Sequence, residues 1–154
     1  MTSGRDLRGF TLVELVTVIL LLGILSAVAL PRFFNATDFN SRGFYDEVAA
    51  AARYGQKLAV ASGCDVQLTV ADGNYALQQR EACDNISEFN RAVLQPTGSD
   101  AFADSAPSGT TLSVSPLTPV IFDALGRATP GGVMVTVDGR FFTIIGESGY
   151  VSMP

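Results

Sequence analysis

The chain contains no histidine and no tryptophan, a single lysine (Lys57), and only two cysteines, Cys64 and Cys83. Without histidine, the commonest general base and the commonest metal ligand are both missing. A serine or cysteine nucleophile would need Lys57 or a carboxylate as its base, and Lys57 falls in a predicted helix. No glycine-rich phosphate loop is present; the glycines mark turns. Basic residues are not clustered and the net charge is −5, which does not suit a binder of phosphate backbones. Asp84, Glu88, Asp100 and Asp104 lack the ligand spacing of a calcium loop and read as solvated. The expectation is a structural protein without cofactor or metal, not an enzyme.

What is present is unevenly spread. Apolar residues make up 47% of the 154 residues, yet residues 15–30 are interrupted only by Thr17, Gly23 and Ser26. Residues 10–30 as a helix span roughly 32 Å at ~1.5 Å per residue, close to the ~30 Å hydrocarbon thickness. Arg5 and Arg8 precede the run, so this end is expected to stay cytoplasmic and the rest to be exported. One reading is a secretory signal peptide cut after Ala27-Val28-Ala29, releasing a soluble domain that begins near Leu30. The other keeps the helix. It then has to account for Glu14, because a carboxylate in lipid costs about 2.5–3.5 kcal/mol at mid-bilayer and less near an edge.

The stretch "GFTLVEL", followed by the apolar run and Pro31, resembles the amino terminus of type IV prepilins and type II secretion pseudopilins. The resemblance implies cleavage between Gly9 and Phe10 by a prepilin peptidase, removal of "MTSGRDLRG", and N-methylation of Phe10. A free amine at Phe10 is largely protonated near neutral pH. Once buried among packed helices it needs a carboxylate, and Glu14 lies one helical turn along. The resemblance implies that this pair sets the register of an incoming subunit in a filament. Gly23, Ser26, Ala27 and Ala29 permit close approach of neighbouring helices. Pro31 lacks a backbone N–H and is expected to break or kink the helix.

Residues 31–43 are mixed and turn-rich. Residues 44–62 are alanine-rich with helical spacing, acidic at the start (Asp46, Glu47) and basic towards the end (Arg53, Lys57), as the helix dipole favours. Gly63 is a natural stop. The expectation is one long helix with a weak joint near Pro31 to Gly43, its exported half packed on a sheet. Residues 64–83 read as a hairpin: Val66, Leu68 and Val70 alternate with polar residues before Asp72-Gly73-Asn74. With a Gly73-Asn74 loop, Cys64 falls directly opposite Cys83 and a disulfide would close the open end; an Asp72-Gly73 loop or a bulge shifts that register. Closing about 20 residues is worth about 3 kcal/mol in the chain-entropy model.

"ISEFNRAV" reads as a short helix or irregular, residues 95–109 as a loop and 110–115 as a strand. Further strands are expected in 119–126, 132–139 and 140–152, with Asp138-Gly139 as a second hairpin turn. "IFDALGR", two strands and "GESGYV" resemble the carboxy-terminal part of GspH/FimT-type minor pilins and pseudopilins. "PRFFNATDFNSRGFYDEV" and "RYGQKLAVASGCDVQL" bring the chain nearest to minor pilins of mannose-sensitive haemagglutinin (MSHA) pili.

The expected fold class is α+β: a long amino-terminal transmembrane helix packed on an antiparallel β-sheet head. The expected organisation is a leader (1–9), a transmembrane and filament-core helix (10–30) and an exported head (31–154, with helix 44–63 and 64–154 mostly β). The implied partners are prepilin peptidase, major and minor pilins, an inner-membrane assembly platform and the membrane itself. The implied location is the inner membrane with the head in the periplasm, then the pilus or cell surface. Nucleic acid is not expected as a partner: without Arg5, Asp6 and Arg8 the chain carries 8 basic and 14 acidic residues, against a DNA-uptake role. A secretion pseudopilin shares every feature of residues 9–33.

Overall fold

In a computed structural model, the described residues are 10–33, 36–84, 86–96, 98, 100–117 and 119–154, with only the backbone given for 27–33, 36 and 37. The chain divides into two compact units between Ala36 and Thr37. The first holds helix α1 (Leu12–Phe33). Among the described residues, the second holds helix α2 (Ala36–Ser62) from Thr37 onward and ten strands.

Two expectations for the helices are corrected. α1 continues through Pro31 and ends at Phe33, so the helix does not break at Pro31 itself, and its end falls within the weak joint expected near Pro31 to Gly43. A proline removes only its own N–H from the ladder, and flanking bonds can carry the helix past it. α2 starts at Ala36, eight residues before the predicted start. Asp38 lies in its first turn, where a carboxylate favours the helix dipole. Of residues 38–43 only Ser41 is buried, so their apolar periodicity is weak. Gly63 caps the far end with φ +69°, its N–H donating to the Ala59 carbonyl at 2.9 Å.

The strands form two antiparallel sheets. The first contains β1 (Val66–Ala71), β2 (Asn74–Arg80), β3 (Phe89–Ala92), β4 (Ala103–Ser105), β6 (Val120–Phe122) and β7 (Ala128–Thr129). Its order is β3-β2-β1-β6-β7, with β4 also on β2. The second contains β5 (Leu112–Ser115), β8 (Val133–Val137), β9 (Arg140–Ile144) and β10 (Val151–Ser152), in the order β10-β9-β8-β5. β3 replaces the expected short helix or irregular stretch, and β4 lies inside the expected loop. Both are exposed edge pieces whose burial does not alternate, which removes the signal by which a strand is read.

Alternation is strict where the core forms. Val66, Leu68, Val70, Tyr75 and Leu77 of the first hairpin are buried, as are Val133, Val135, Val137, Phe142 and Ile144 of the second. The small residues Ala49, Ala51, Ala52 and Ala59 of α2 are fully buried. Gly55 sets the closest approach: a β-carbon there would lie 2.7 Å from Leu77 Cδ1. The Tyr45 ring meets Phe142 edge-on at 5.8 Å, and its hydroxyl donates to the Phe141 carbonyl at 3.0 Å. Tyr75, 2% exposed, donates its hydroxyl to Glu47. Burial and that carboxylate hold the Tyr75 phenol far above its ordinary range.

Candidate assembly interface

The amino-terminal helix begins with a cap. Thr11 Oγ1 accepts the Glu14 N–H at 3.2 Å, and Thr11-x-x-Glu14 is the spacing of a capping box. The sequence reading missed this use of Thr11, although the spacing was visible. The hydroxyls of Thr17 and Ser26 donate to the carbonyls of Glu14 and Leu22 at 2.9 and 2.7 Å. Both are thus satisfied within the helix, which is how polar groups are tolerated in lipid. The Glu14 carboxylate has no ionic partner among the described residues, whose ion pairs are Arg80–Asp65 and Arg127–Asp123. Gly9 and the cleavage position before Phe10 fall partly outside the described residues; Phe10 itself is 79% exposed.

From Phe10 to Leu25, twelve large apolar side chains are exposed. At about 1.5 kcal/mol or more each, their burial is worth on the order of 18 kcal/mol, above the ~5–15 kcal/mol net stability of a typical domain. A helix apolar all round needs a surrounding of lipid or other helices. Among the described residues no helix is long and apolar enough to cross a membrane: the described side chains of α1 end at Ser26. The α1 backbone itself runs for 22 residues, about 33 Å at ~1.5 Å per residue.

In the head, Cys64 and Cys83 are joined by a disulfide, with Cα atoms 4.6 Å apart. The hairpin register differs from the one that set them opposite each other. Ala71 pairs with Asn74 and Val66 with Gln79, so the loop is Asp72-Gly73, with φ +51° and +75°. After Arg80 the chain leaves the ladder through bends at 81–84, which return Cys83 to Cys64. The closed loop is pinned from inside. Arg80 reaches the Asp65 carboxylate at 3.1 Å and the Ser87 carbonyl, and lies 4.3 Å over the Phe89 ring. Hydrogen bonds from Ser87, through its hydroxyl and N–H, hold the Asp84 carboxyl below its usual range.

The two carboxy-terminal motifs come together. In "FDALGR", Asp123 accepts the N–H groups of Leu125 and Arg127, each at 2.9 Å, and pairs with the Arg127 guanidinium at 2.7 Å. Slight burial pushes its carboxyl up, but these bonds bring it below the usual range. The "GESGYV" turn packs on the same place: a β-carbon on Gly149 would meet the Gly126 carbonyl oxygen. Gln56 of α2 donates to the Ser148 carbonyl at 2.7 Å. A third clamp is Asp138, whose Oδ1 accepts the Thr111 N–H at 2.8 Å; this lowers its carboxyl.

Residues 5–30 match the prokaryotic N-terminal methylation motif. Against curated proteins, the chain is 46% identical over 52 residues to the type IV narrow pilus major component PilA5 of Thermus thermophilus. That match covers 34% of this chain and 45% of PilA5, so the chain spans less than half of that relative. The fold is similar to that of the type IV minor pilin FimU of Pseudomonas aeruginosa, with a TM-score of 0.54 and 11% identity, over 78% of this chain and 89% of FimU. It is equally similar to the minor pseudopilin EpsH of the Vibrio cholerae type 2 secretion system: TM-score 0.53, 13% identity, 76% of this chain and 94% of EpsH. The chain is thus similar to type IV pilins in its amino-terminal stretch and to a minor pilin and a minor pseudopilin in fold. It pairs an N-terminal methylation motif with an α+β head. Glu14 lies in the first turn of its apolar helix, with Phe10 just before it, while the disulfide and the three carboxylate clamps serve the head.

Proposed function

We propose that this pilin-like chain is a non-enzymatic minor subunit that initiates, or stands at the tip of, a type IV pilus of the MSHA kind, and so serves surface attachment. The carrying observation is α1, apolar on every side with one carboxylate in its first turn. Such a helix is stored in the inner membrane after prepilin peptidase has cut before Phe10. An assembly platform then moves it into a bundle of pilin helices. Glu14 neutralises a Phe10 amine there, its own or a neighbour's, because neither charge is tolerable alone in an apolar bundle. The head supplies the contacts that select partner and position.

A second reading is a minor pseudopilin of a type II secretion system, favoured by the near-equal likeness to EpsH. Deleting the gene separates them. Loss of sheared surface filaments with normal protein secretion supports the pilus; intact filaments with blocked secretion supports the pseudopilin. Intact mass tests both against a soluble domain released by signal peptidase. A mature chain beginning at methylated Phe10 supports assembly, and one beginning near Leu30 refutes it.

A further inference from the structure

Helix α2 and strand β3 leave a groove between them. Tyr54 and Leu58 of α2 form one wall, and Arg91, Ala92 and Leu94, in and just after β3, form the other; Gln79 of β2 also lines it. Its volume is about 270 Å³. That is below the ~300–1,000 Å³ of pockets that engulf a whole small molecule, and it suits one large side chain. Gln79 is only 3% exposed. Its Nε2 donates to Ser62 Oγ at 2.8 Å. No described donor reaches its Oε1, which leaves an acceptor in the groove wall. The wall beside β3 is also a sheet edge, because β3 ends the order β3-β2-β1-β6-β7. The Val93 N–H donates to the Leu77 carbonyl at 3.1 Å, so residues 77 and 93 are a hydrogen-bonded pair. The next pair, Gln78 with Ala92, is therefore of the other type, and the N–H and C=O of Ala92 point away from β2, over the free edge. Positive charge flanks both walls. Residues 48–62 of α2 carry Arg53 and Lys57 and no carboxylate. Arg91 takes part in neither ion pair among the described residues.

We infer that this groove binds an extended peptide segment of another protein, added as a strand along β3, with one large apolar side chain between Leu58 and Leu94 and a neighbouring carboxylate on Arg91. Each part of that segment has its recogniser. The outward N–H and C=O of Ala92 match a peptide backbone, and a strand added to a sheet edge takes its affinity from such main-chain bonds. The apolar walls admit one side chain and so fix the register of the segment. Gln79 supplies an acceptor for a donor on it. The Arg91 guanidinium presents a planar fork that fits a carboxylate. A basic segment would meet like charge on both walls. The inference goes beyond the filament reading, because it holds for a pilus subunit and a secretion pseudopilin alike.

The test selects a phage-displayed random heptapeptide library on the full chain in lipid nanodiscs. Enriched peptides are then titrated by fluorescence polarisation against variants. The expected peptides share a large apolar residue within about two positions of a carboxylate. Arg91→Glu is expected to weaken them about tenfold or more, and Arg91→Lys, which keeps the charge but loses the fork, about threefold. Ala92→Pro removes the edge N–H and is expected to weaken them about tenfold. No enriched peptide, enriched peptides without a carboxylate, or equal binding to the wild type and Arg91→Glu overturns the inference. Unchanged binding to Ala92→Pro overturns it too, since a ligand held by side chains alone is not an added strand. Urea midpoints show whether a variant has lost its fold. If Ala92→Pro has, hydrogen exchange of the Ala92 amide in the wild type replaces it: bound peptide is expected to slow exchange about tenfold, and unchanged exchange overturns the inference. None of these outcomes depends on whether filaments need the chain.

Discussion

Gly149→Ala and Gly73→Ala form a matched pair that isolates one contact. Both glycines have positive φ, +60° and +75°, so alanine pays a similar left-handed backbone penalty at each, about 1–2 kcal/mol. Their surroundings differ. Around Gly73 an added β-carbon meets open space, whereas at Gly149 it lands on the Gly126 carbonyl oxygen and lies 3.0 Å from Gln56 Cγ. The oxygen is backbone and is held by the turn that Asp123 clamps, so it has little room to yield. Overpacking of this kind adds about 1–3 kcal/mol. Gly149→Ala is therefore expected to cost about 2–5 kcal/mol and Gly73→Ala about 1–2 kcal/mol. All four tyrosines lie at or beyond residue 45, so tyrosine fluorescence during urea unfolding in detergent reports the head alone. A difference under about 0.5 kcal/mol, the scatter of ordinary surface substitutions, would refute the packing of the 126 turn on the 149 turn.

Cys64→Ser is expected to lower head stability by about 3 kcal/mol, the chain-entropy value for a loop of this size; unchanged urea midpoints with and without reductant would contradict it. Asp123 and Asp138 are both held below the usual carboxylate range, so their stabilisation is fully present above about pH 4, the unfolded value, and fades as pH falls through the folded values. Urea midpoints should hold from pH 7 to about 5 and drop below about 4, and an Asp123→Asn/Asp138→Asn double variant should drop less steeply. Glu14→Ala is expected to leave cleavage before Phe10 intact but prevent incorporation into filaments; normal incorporation would remove the assigned role of Glu14.

The sequence shows why one register was open and another was not. Asp72-Gly73 and Gly73-Asn74 are both acceptable two-residue loops. Moving between them shifts every pairing by two positions, which leaves each side chain on the same face. Alternation of Val66, Leu68, Val70, Tyr75 and Leu77 therefore identifies the hairpin and its buried face but not its partners. At Asp138-Gly139 no rival dipeptide follows, and Val137 pairs with Arg140 as that loop demands. β3 and β4 were illegible because they gain order from β2 rather than from an apolar face of their own. The start of α2 was hidden for a related reason: its first turns are polar and lie largely in solvent. In α1, the motif residues were readable, since an unbroken apolar run is visible in composition alone. The cap at Thr11 required attention to spacing, not hydropathy.

The internal bonds of Thr17 and Ser26 bear on how such a helix changes place. Their hydroxyls carry their own acceptors with them, so leaving lipid for a helix bundle breaks no side-chain hydrogen bond along the described part of α1. The apolar side chains are nearly indifferent too, because lipid tails and leucines solvate them alike. Under the filament reading, the exchange between store and polymer is close to balanced along most of the helix, and Glu14 is the described group whose surroundings change in kind. A transfer tuned by one ionisable residue can run in either direction with little stored energy, so the same subunit is fit for repeated extension and return.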